Sequence, residues 1–227
     1  MTIAVVIPTL NAASGLGPTL DAIADARVAG LVVDVVIADG GSTDGTEHVA
    51  RTAGATWCPA PRGRGSQLAT GTTAASGPWL LFLHADTVLA PGWERVAARW
   101  IAAPASRARA AYFRFRLDDD TPAAHRLARI VAWRARRLGL PYGDQALLIH
   151  RDFLAARGGW RAMPLMEDVD LARRIGRRRL DALAADAITS AARYRRDGYL
   201  RRSARNLACL SLYFLGVPPT TLRRLYG

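Results

Sequence analysis

VVDVVIADGGSTDGTEHVARTAG, residues 32–54, reads as a strand, a glycine-rich turn and a short helix in direct succession. Residues 32–39 are a nearly continuous, β-branched apolar run, the pattern of a strand covered on both faces. The stretch 43–54 is helical after the turn. Similar units lie on either side. Upstream, IAVVIP (3–8) is another buried strand, and Leu16, Leu20, Ile23, Ala24 and Arg27 have helical spacing between about Gly15 and Ala29. Downstream, ATWCP (55–59) reads as a strand, Gly65 to Ser76 as a glycine-weakened helix, and WLLFLHAD (79–86) as the most hydrophobic strand of the set. Strands alternating with helices predict an α/β fold: a mostly parallel central sheet with right-handed crossovers, flanked by helices.

Past residue 90 the pattern loosens. AAYFRFRLD (110–118) alternates as a strand, and three acids then open a helix near Thr121–Arg137. ALLIH (146–150) is a short strand, MEDVDLARRI (166–175) an amphipathic helix, ALAADAIT (182–189) a last strand, and a basic helical region ends the chain. No internal repeat is present. The 227 residues suit one domain over 1–227, with a nucleotide-binding half (1–90) and an acceptor and catalytic half (91–227).

Half of the residues are hydrophobic and 22% are charged, which provides a core and excludes a disordered chain. Two cysteines, Cys58 and Cys209, stand too far apart in sequence for a disulfide framework or a zinc spacing. Met1-Thr2 leads straight into the first strand without a basic region or cleavage site, and the longest apolar run (about 207–217) is too short to span a bilayer. The expectation is a cytoplasmic protein, with peripheral contact at the inner face of the membrane as an option. Charge is asymmetric: residues 1–90 carry four Arg and seven acids, residues 91–227 carry 27 Arg and twelve acids. Lys is absent throughout. Biased codon usage accounts for part of this, yet the imbalance points to an anionic partner: a phosphate-bearing small molecule, a membrane surface or nucleic acid.

Ligands of open α/β sheets bind beyond the carboxyl ends of the strands. Those ends carry Pro8, Thr9 and Asn11 after the first strand, and Asp39, Gly40, Gly41, Ser42 and Asp44 after the second. His84 and Asp86 stand at the fourth, and Gly143, Asp144 and Gln145 near a later one. Each group alone has an ordinary reading as a turn or helix cap; their recurrence at one sheet edge favours a site. There is no GxxxxGK[ST], and GLGPTL (15–20) and GRGSQLATG (63–71) are poor matches to a dinucleotide fingerprint.

VVIPTLNAASGL (5–16), IADGGSTDGT (37–46), LLFLHADT (80–87) and LMEDVDLARR (165–174), in this order, resemble the landmarks of family 2 glycosyltransferases of the GT-A fold. GDQALLIHRDF (143–153), GGW (158–160), TSAARYRRDG (189–198) and YFLGVPPTTLRRLYG (213–227) resemble a compact bacterial subgroup linked to arsenosugar biosynthesis. The resemblance implies an inverting, metal-dependent hexosyltransferase-like enzyme that uses a nucleotide-sugar donor, UDP-linked by family default, and a small-molecule or lipid-linked hydroxyl acceptor. Pro8, Thr9 and Asn11 would line the nucleotide pocket, Asp39 would bond the base or ribose, and Gln67 and Arg64 would lie along the donor. Asp86 would hold a divalent cation (Mn²⁺ or Mg²⁺) at the diphosphate, with His84 a candidate second ligand. Asp168, paired with Glu167, would be the catalytic base, and Arg193, Arg195 and Arg196 would meet the diphosphate. The chain departs from the pattern twice. His84 replaces the first Asp of the cation motif, and Ala12 stands where Glu commonly follows the motif's Asn.

The chemistry agrees. Glycosyl transfer must stabilise a departing diphosphate, which a cation and Arg can do, and must take a proton from the acceptor, which a carboxylate can do. The simpler role for Glu167, Asp168 and Asp170 is favourable charge at a helix start. Two rivals remain open: a nucleotidyltransferase on a related sheet, and a non-catalytic basic module binding membrane or nucleic acid. The missing Lys weakens the first; the lack of any nucleic-acid-binding motif weakens the second, and no nucleic-acid partner is expected. HRLARIVAWRARRLGL (125–140) is a basic amphipathic helix with Ile130, Trp133 and Leu138 near one face, suited either to ordinary packing or to an anionic membrane.

Overall fold

The computed structural model describes residues 1–226. Its first half is the predicted alternation: β1 (Ile3–Thr9), α1 (Ala13–Val28), β2 (Val32–Asp39), α2 (Thr46–Thr52), β3 (Thr56–Pro59), α3 (Arg64–Ala74) and β4 (Trp79–Phe82). These four strands pair in parallel in the order β3-β2-β1-β4. All seven residues of β1 are buried. Ile3, Val5 and Ile7 pack on one face against Leu16, Leu20 and Ile23 of α1, while Ala4 and Val6 pack on the other with Leu68 of α3. Helices on both faces explain why the strand has no polar alternation.

The second half comprises β5 (Thr87–Leu89), α4 (Trp93–Ala102), β6 (Ala110–Leu117), α5 (Pro122–Leu138), β7 (Leu147–His150), α6 (Arg151–Ala156), α7 (Glu167–Ile175), β8 (Leu180–Thr189), α8 (Ala192–Asp197), α9 (Tyr199–Phe214) and α10 (Pro219–Tyr226). The full sheet order is β3-β2-β1-β4-β7-β6-β8-β5. β7 runs antiparallel to both β4 and β6, β8 runs parallel to β6, and β5 runs antiparallel to β8. The sheet is thus mostly parallel, with the antiparallel pairs confined to the later strands.

The structure changes the sequence reading at two places. The fourth strand ends at Phe82, because Leu83–Asp86 leave the ladder before Thr87–Leu89 join β8 on the far side of the sheet. The Thr87 and Thr189 hydroxyls meet there. Residues 93–102, unassigned from sequence, form α4, whose Trp93, Ala97 and Ile101 complete the core on the α1 face. No helix among the described residues is long and apolar enough to cross a membrane.

Candidate active site at the sheet edge

The carboxyl ends of β1 and β2 form a closed polar frame. The Asp39 side chain is buried and accepts four hydrogen bonds: from Thr9 Oγ1 (2.7 Å), Ser42 Oγ (2.5 Å), and the backbone N–H groups of Gly41 (2.8 Å) and Ser42 (2.7 Å). Its carboxyl is held below the ordinary range: burial acts in the opposite direction, and the Ser42, Thr9 and Gly41 donors together outweigh it. Gln67, also buried, donates from Nε2 to the carbonyls of Thr9 (2.6 Å) and Ala38 (2.9 Å), stapling the two strands. Pro8 lies within β1 opposite Ala38. Asn11 has a left-handed backbone (φ 50°), which Asn tolerates. Its Oδ1 accepts from Thr43 N–H and its own N–H donates to Ser42 Oγ, tying the two loops together. A carboxylate has about four acceptor positions, so the structure commits Asp39 to the loop rather than leaving it free to read a base.

Beyond this frame opens a cleft of about 810 Å³, including space open to solvent. Arg64, His84, Asp86, Asp144, Asp168 and Arg193 line it, and Arg202 and Asn206 of α9 add to its wall. Three separate loops and helix ends are thereby brought together. The β4–β5 loop presents His84 and Asp86; α1 supports it, with Thr19 Oγ1 donating to Ala85 carbonyl (3.0 Å). Ser190 N–H at the end of β8 donates to the Asp86 carbonyl (3.1 Å), fixing the loop from the other side. The turn at 143–145 approaches so closely that a Cβ on Gly143 would enter the His84 ring. Gly143 N–H donates to Asp168 Oδ2 (2.8 Å), while Val169 N–H donates to Oδ1 (2.7 Å). Asp168 is therefore oriented by backbone alone. Met166, directly before α7, is left-handed at φ 67°, an uncommon conformation for a residue with a side chain. Gly65 explains how α3 reaches this region: a Cβ there would run into the backbone of Arg161 and Met163.

Electrostatics divide the acids. Glu167 is 2% exposed and faces a smaller recess of about 480 Å³ beside the cleft. Burial pushes its carboxyl up to about 7, even with Arg64 Nε 3.1 Å from Oε1, and its Oε2 has no hydrogen-bond partner. Burial likewise raises Asp144 to about 6, against the pull of Arg134, and leaves its Oδ1 unpartnered. Burial, then Arg64, lowers His84 to about 4, so its imidazole is neutral at neutral pH.

Of the three arginines expected at the diphosphate, only Arg193 lines the cleft. Arg195 pairs with Asp118 (3.2 Å) and Arg196 with Asp197 (2.7 Å), because residues 192–197 are a helix that turns them outward. Sequence reading assigned no role to Asp144, Tyr142, Tyr194, Arg202 or Asn206. Asp144 had one signal, its place at a strand end; the α9 residues had none, since only folding brings that helix over the sheet edge.

Among the described residues no group of three or more His, Cys, Asp or Glu is arranged as a self-contained metal site. The donors do fit a shared ion. Asp86, neutral His84 and the unpartnered Oδ1 of Asp144 border one cleft, and Mg²⁺ at phosphates characteristically takes one or two carboxylates with the rest from substrate and water.

A sheet of this order, with a carboxylate on the β4 exit loop and acids at the start of α7, defines the GT-A class of α/β folds. The family model described as Glycosyl transferase family 2 matches residues 4–163, and the chain belongs to that family. No curated protein matches it. Among solved structures it is similar to glucosyl-3-phosphoglycerate synthase from Mycobacterium tuberculosis. The complex with Mn²⁺, UDP and glucosyl-3-phosphoglycerate superposes with TM-score 0.55 at 22% identity, covering 83% of this chain and 70% of that one. The complex with Mg²⁺ and UDP gives 0.58 at 21% identity, covering 83% and 69%. The complex with Mn²⁺ and UDP-glucose gives 0.57 at 22%, with the same coverage.

Proposed function

We propose that this glycosyltransferase moves a sugar from a nucleoside diphosphate donor, UDP-linked by preference, to an acceptor hydroxyl with inversion at the anomeric carbon. The observation that carries the reading is the meeting of Asp86 and Asp168 across one Arg-lined cleft, although 82 positions separate them in sequence. The acceptor oxygen attacks the anomeric carbon, its proton passes to Asp168, and the bond to the diphosphate oxygen breaks in the same displacement. Gly143 and Val169 N–H groups hold the Asp168 carboxyl in place. Arg193 and Arg64 line the cleft and would meet the charge that gathers on the leaving diphosphate, which suits Arg's paired hydrogen bonds. A divalent cation, Mn²⁺ or Mg²⁺, would be held by Asp86, with His84 and Asp144 as neighbouring donors, and would neutralise the diphosphate. Pro8, Thr9, Asn11, Asp39 and Gln67 frame the nucleotide end, with the Asp39 and Gln67 side chains shaping the pocket from behind.

The acceptor is a hydroxyl compound, small or lipid-linked, and the enzyme works in the cytoplasm. The M. tuberculosis structures, with UDP-glucose as donor and phosphoglyceric acid or glucosyl-3-phosphoglycerate bound, support a phosphorylated or otherwise polar small acceptor as the first to try. The 143–153 and 213–227 motifs support the compact bacterial subgroup as its closer kin.

Two substitutions test the reading together. Asp168→Asn should lower transfer by 10²–10⁴-fold, the usual cost of losing a general base, with donor affinity kept. Asp86→Asn should instead weaken cation-dependent UDP binding in calorimetry. A wild-type rate in the first, or unchanged UDP affinity in the second, overturns the assigned roles.

A further inference from the structure

Helices α5, α9 and α10, of 17, 16 and 8 residues, contain ten Arg and not one carboxylate. Codon bias explains why no Lys is present, but not why ten Arg stand in these helices without a single acid. The same helices hold large apolar side chains outside the core. Ile130 and Trp133, 62% and 53% exposed, occupy the middle of the outer face of α5, with Arg126, Arg129, Arg136 and Arg137 exposed around them. The core-facing stripe of α5 is a separate one, Ala124, Val131 and Ala135. On α9, Leu200, Leu207 and Phe214 recur every seven residues and are exposed. The outer face of α5 is thus an apolar centre ringed by Arg, and α9 adds a second exposed apolar stripe. The acids that flank these helices are engaged within the protein: Asp119 with Tyr199, Asp120 with His125, and Asp197 with Arg196 and Arg202.

We propose that this face docks on the surface of an anionic lipid bilayer. Trp and Ile surrounded by Arg is the composition that settles at a membrane interface, the rings and branched chains entering the headgroup boundary while guanidinium groups meet lipid phosphate. A second copy of the chain would set Arg against Arg. A nucleic acid would match the charge and gain nothing from exposed Leu, Ile and Phe. The contact is peripheral, since none of these helices is long and apolar enough to cross. The inference stands on surface composition and does not depend on the donor chemistry.

Flotation of the full chain with phosphatidylcholine vesicles, and with vesicles of phosphatidylcholine and phosphatidylglycerol, tests it. The protein should float with the second only and be released by salt. Arg126→Gln and Arg129→Gln should each weaken partitioning by about fivefold, the effect of one basic side chain near an anionic surface. The Ile130→Ala/Trp133→Ala variant, altered only at exposed positions, should lose binding at least tenfold and keep its circular dichroism. Absence from the anionic vesicles overturns the proposal. So does binding that the apolar double variant leaves unchanged, which is what nonspecific charge attraction, to lipid or to RNA alike, would give. A dimer in light scattering that this variant dissociates would likewise assign the face to a second copy.

Discussion

At the ends of β1 and β2, the functional polar side chains have partners within the protein: Asp39 accepts four hydrogen bonds and Gln67 donates two. At the opposite side of the site the accounts are open. Asp144 Oδ1, Glu167 Oε2, Trp160 Nε1 and Asn206 Oδ1 are buried without partners, and every such atom among the described residues lies between 144 and 206. An unpaired buried polar atom costs roughly 1–3 kcal/mol. A fold keeps several in one region where something outside the chain can satisfy them. The β1–β2 edge is a satisfied frame, and the buried polar atoms left without partners all come from the second half.

Breaking each side should therefore give different symptoms. The largest effect is expected at the joint between them. Gly143→Val inserts atoms into the His84 ring and displaces the N–H that orients Asp168, so turnover should fall at least 100-fold while urea unfolding shifts far less. In the frame, Asp39→Ala strands four donors, two of them backbone. Stability should drop by about 3 kcal/mol, read as a Tm lower by about 6–12 °C. Should Tm stay unchanged, the frame is looser than its hydrogen bonds suggest.

On the open side, Glu167→Gln sharpens the comparison through pH. The wild-type carboxyl titrates near 7 in the fold and in the ordinary range when unfolded. The native state thus holds the extra proton between those values, and this group makes the protein less stable as pH rises from about 4.5 to 7. Gln removes that slope, so the variant should gain on wild type with rising pH, by an amount on the order of 1–3 kcal/mol above pH 7. A constant difference across the range would refute the burial argument. Arg193→Gln should raise the donor KM or lower kcat about tenfold, the factor one charge-assisted phosphate contact supplies. Arg196→Gln should be the quietest change, since exposed ion pairs contribute about 0–1 kcal/mol and its partner is Asp197. Equal kinetic loss in Arg193 and Arg196 variants would mean that α8 rearranges when donor binds.

Much of the site could be read from residues alone, though unevenly. His84, Asp86 and Asp168 stood out because a charged group closing an apolar strand or opening an apolar helix has few reasons to be there, and all three line the cleft. Asp39 stood out equally and the family resemblance pointed to Gln67, yet the fold uses both side chains inside. A sequence shows that a polar residue is near a strand end; it does not show whether neighbouring donors have already filled its lone pairs. The Arg193–Arg196 run shows the same gap, since helical geometry at α8 sends consecutive residues in different directions.

The alternation of doubly buried strands with helices determined the fold class, because hydrophobic periodicity is a local property that each segment carries by itself. Composition likewise determined the basic, acid-free character of the last helices. Sheet order was decided only in three dimensions: β7 enters antiparallel between β4 and β6, and β5 leaves its sequence neighbour for β8. Register and partner choice depend on which surfaces meet across long loops, and no single segment contains that information. The cleft is the consequence, since Asp86, Asp144, Asp168 and Arg202 come from four separate segments whose meeting depends on how the sheet closes.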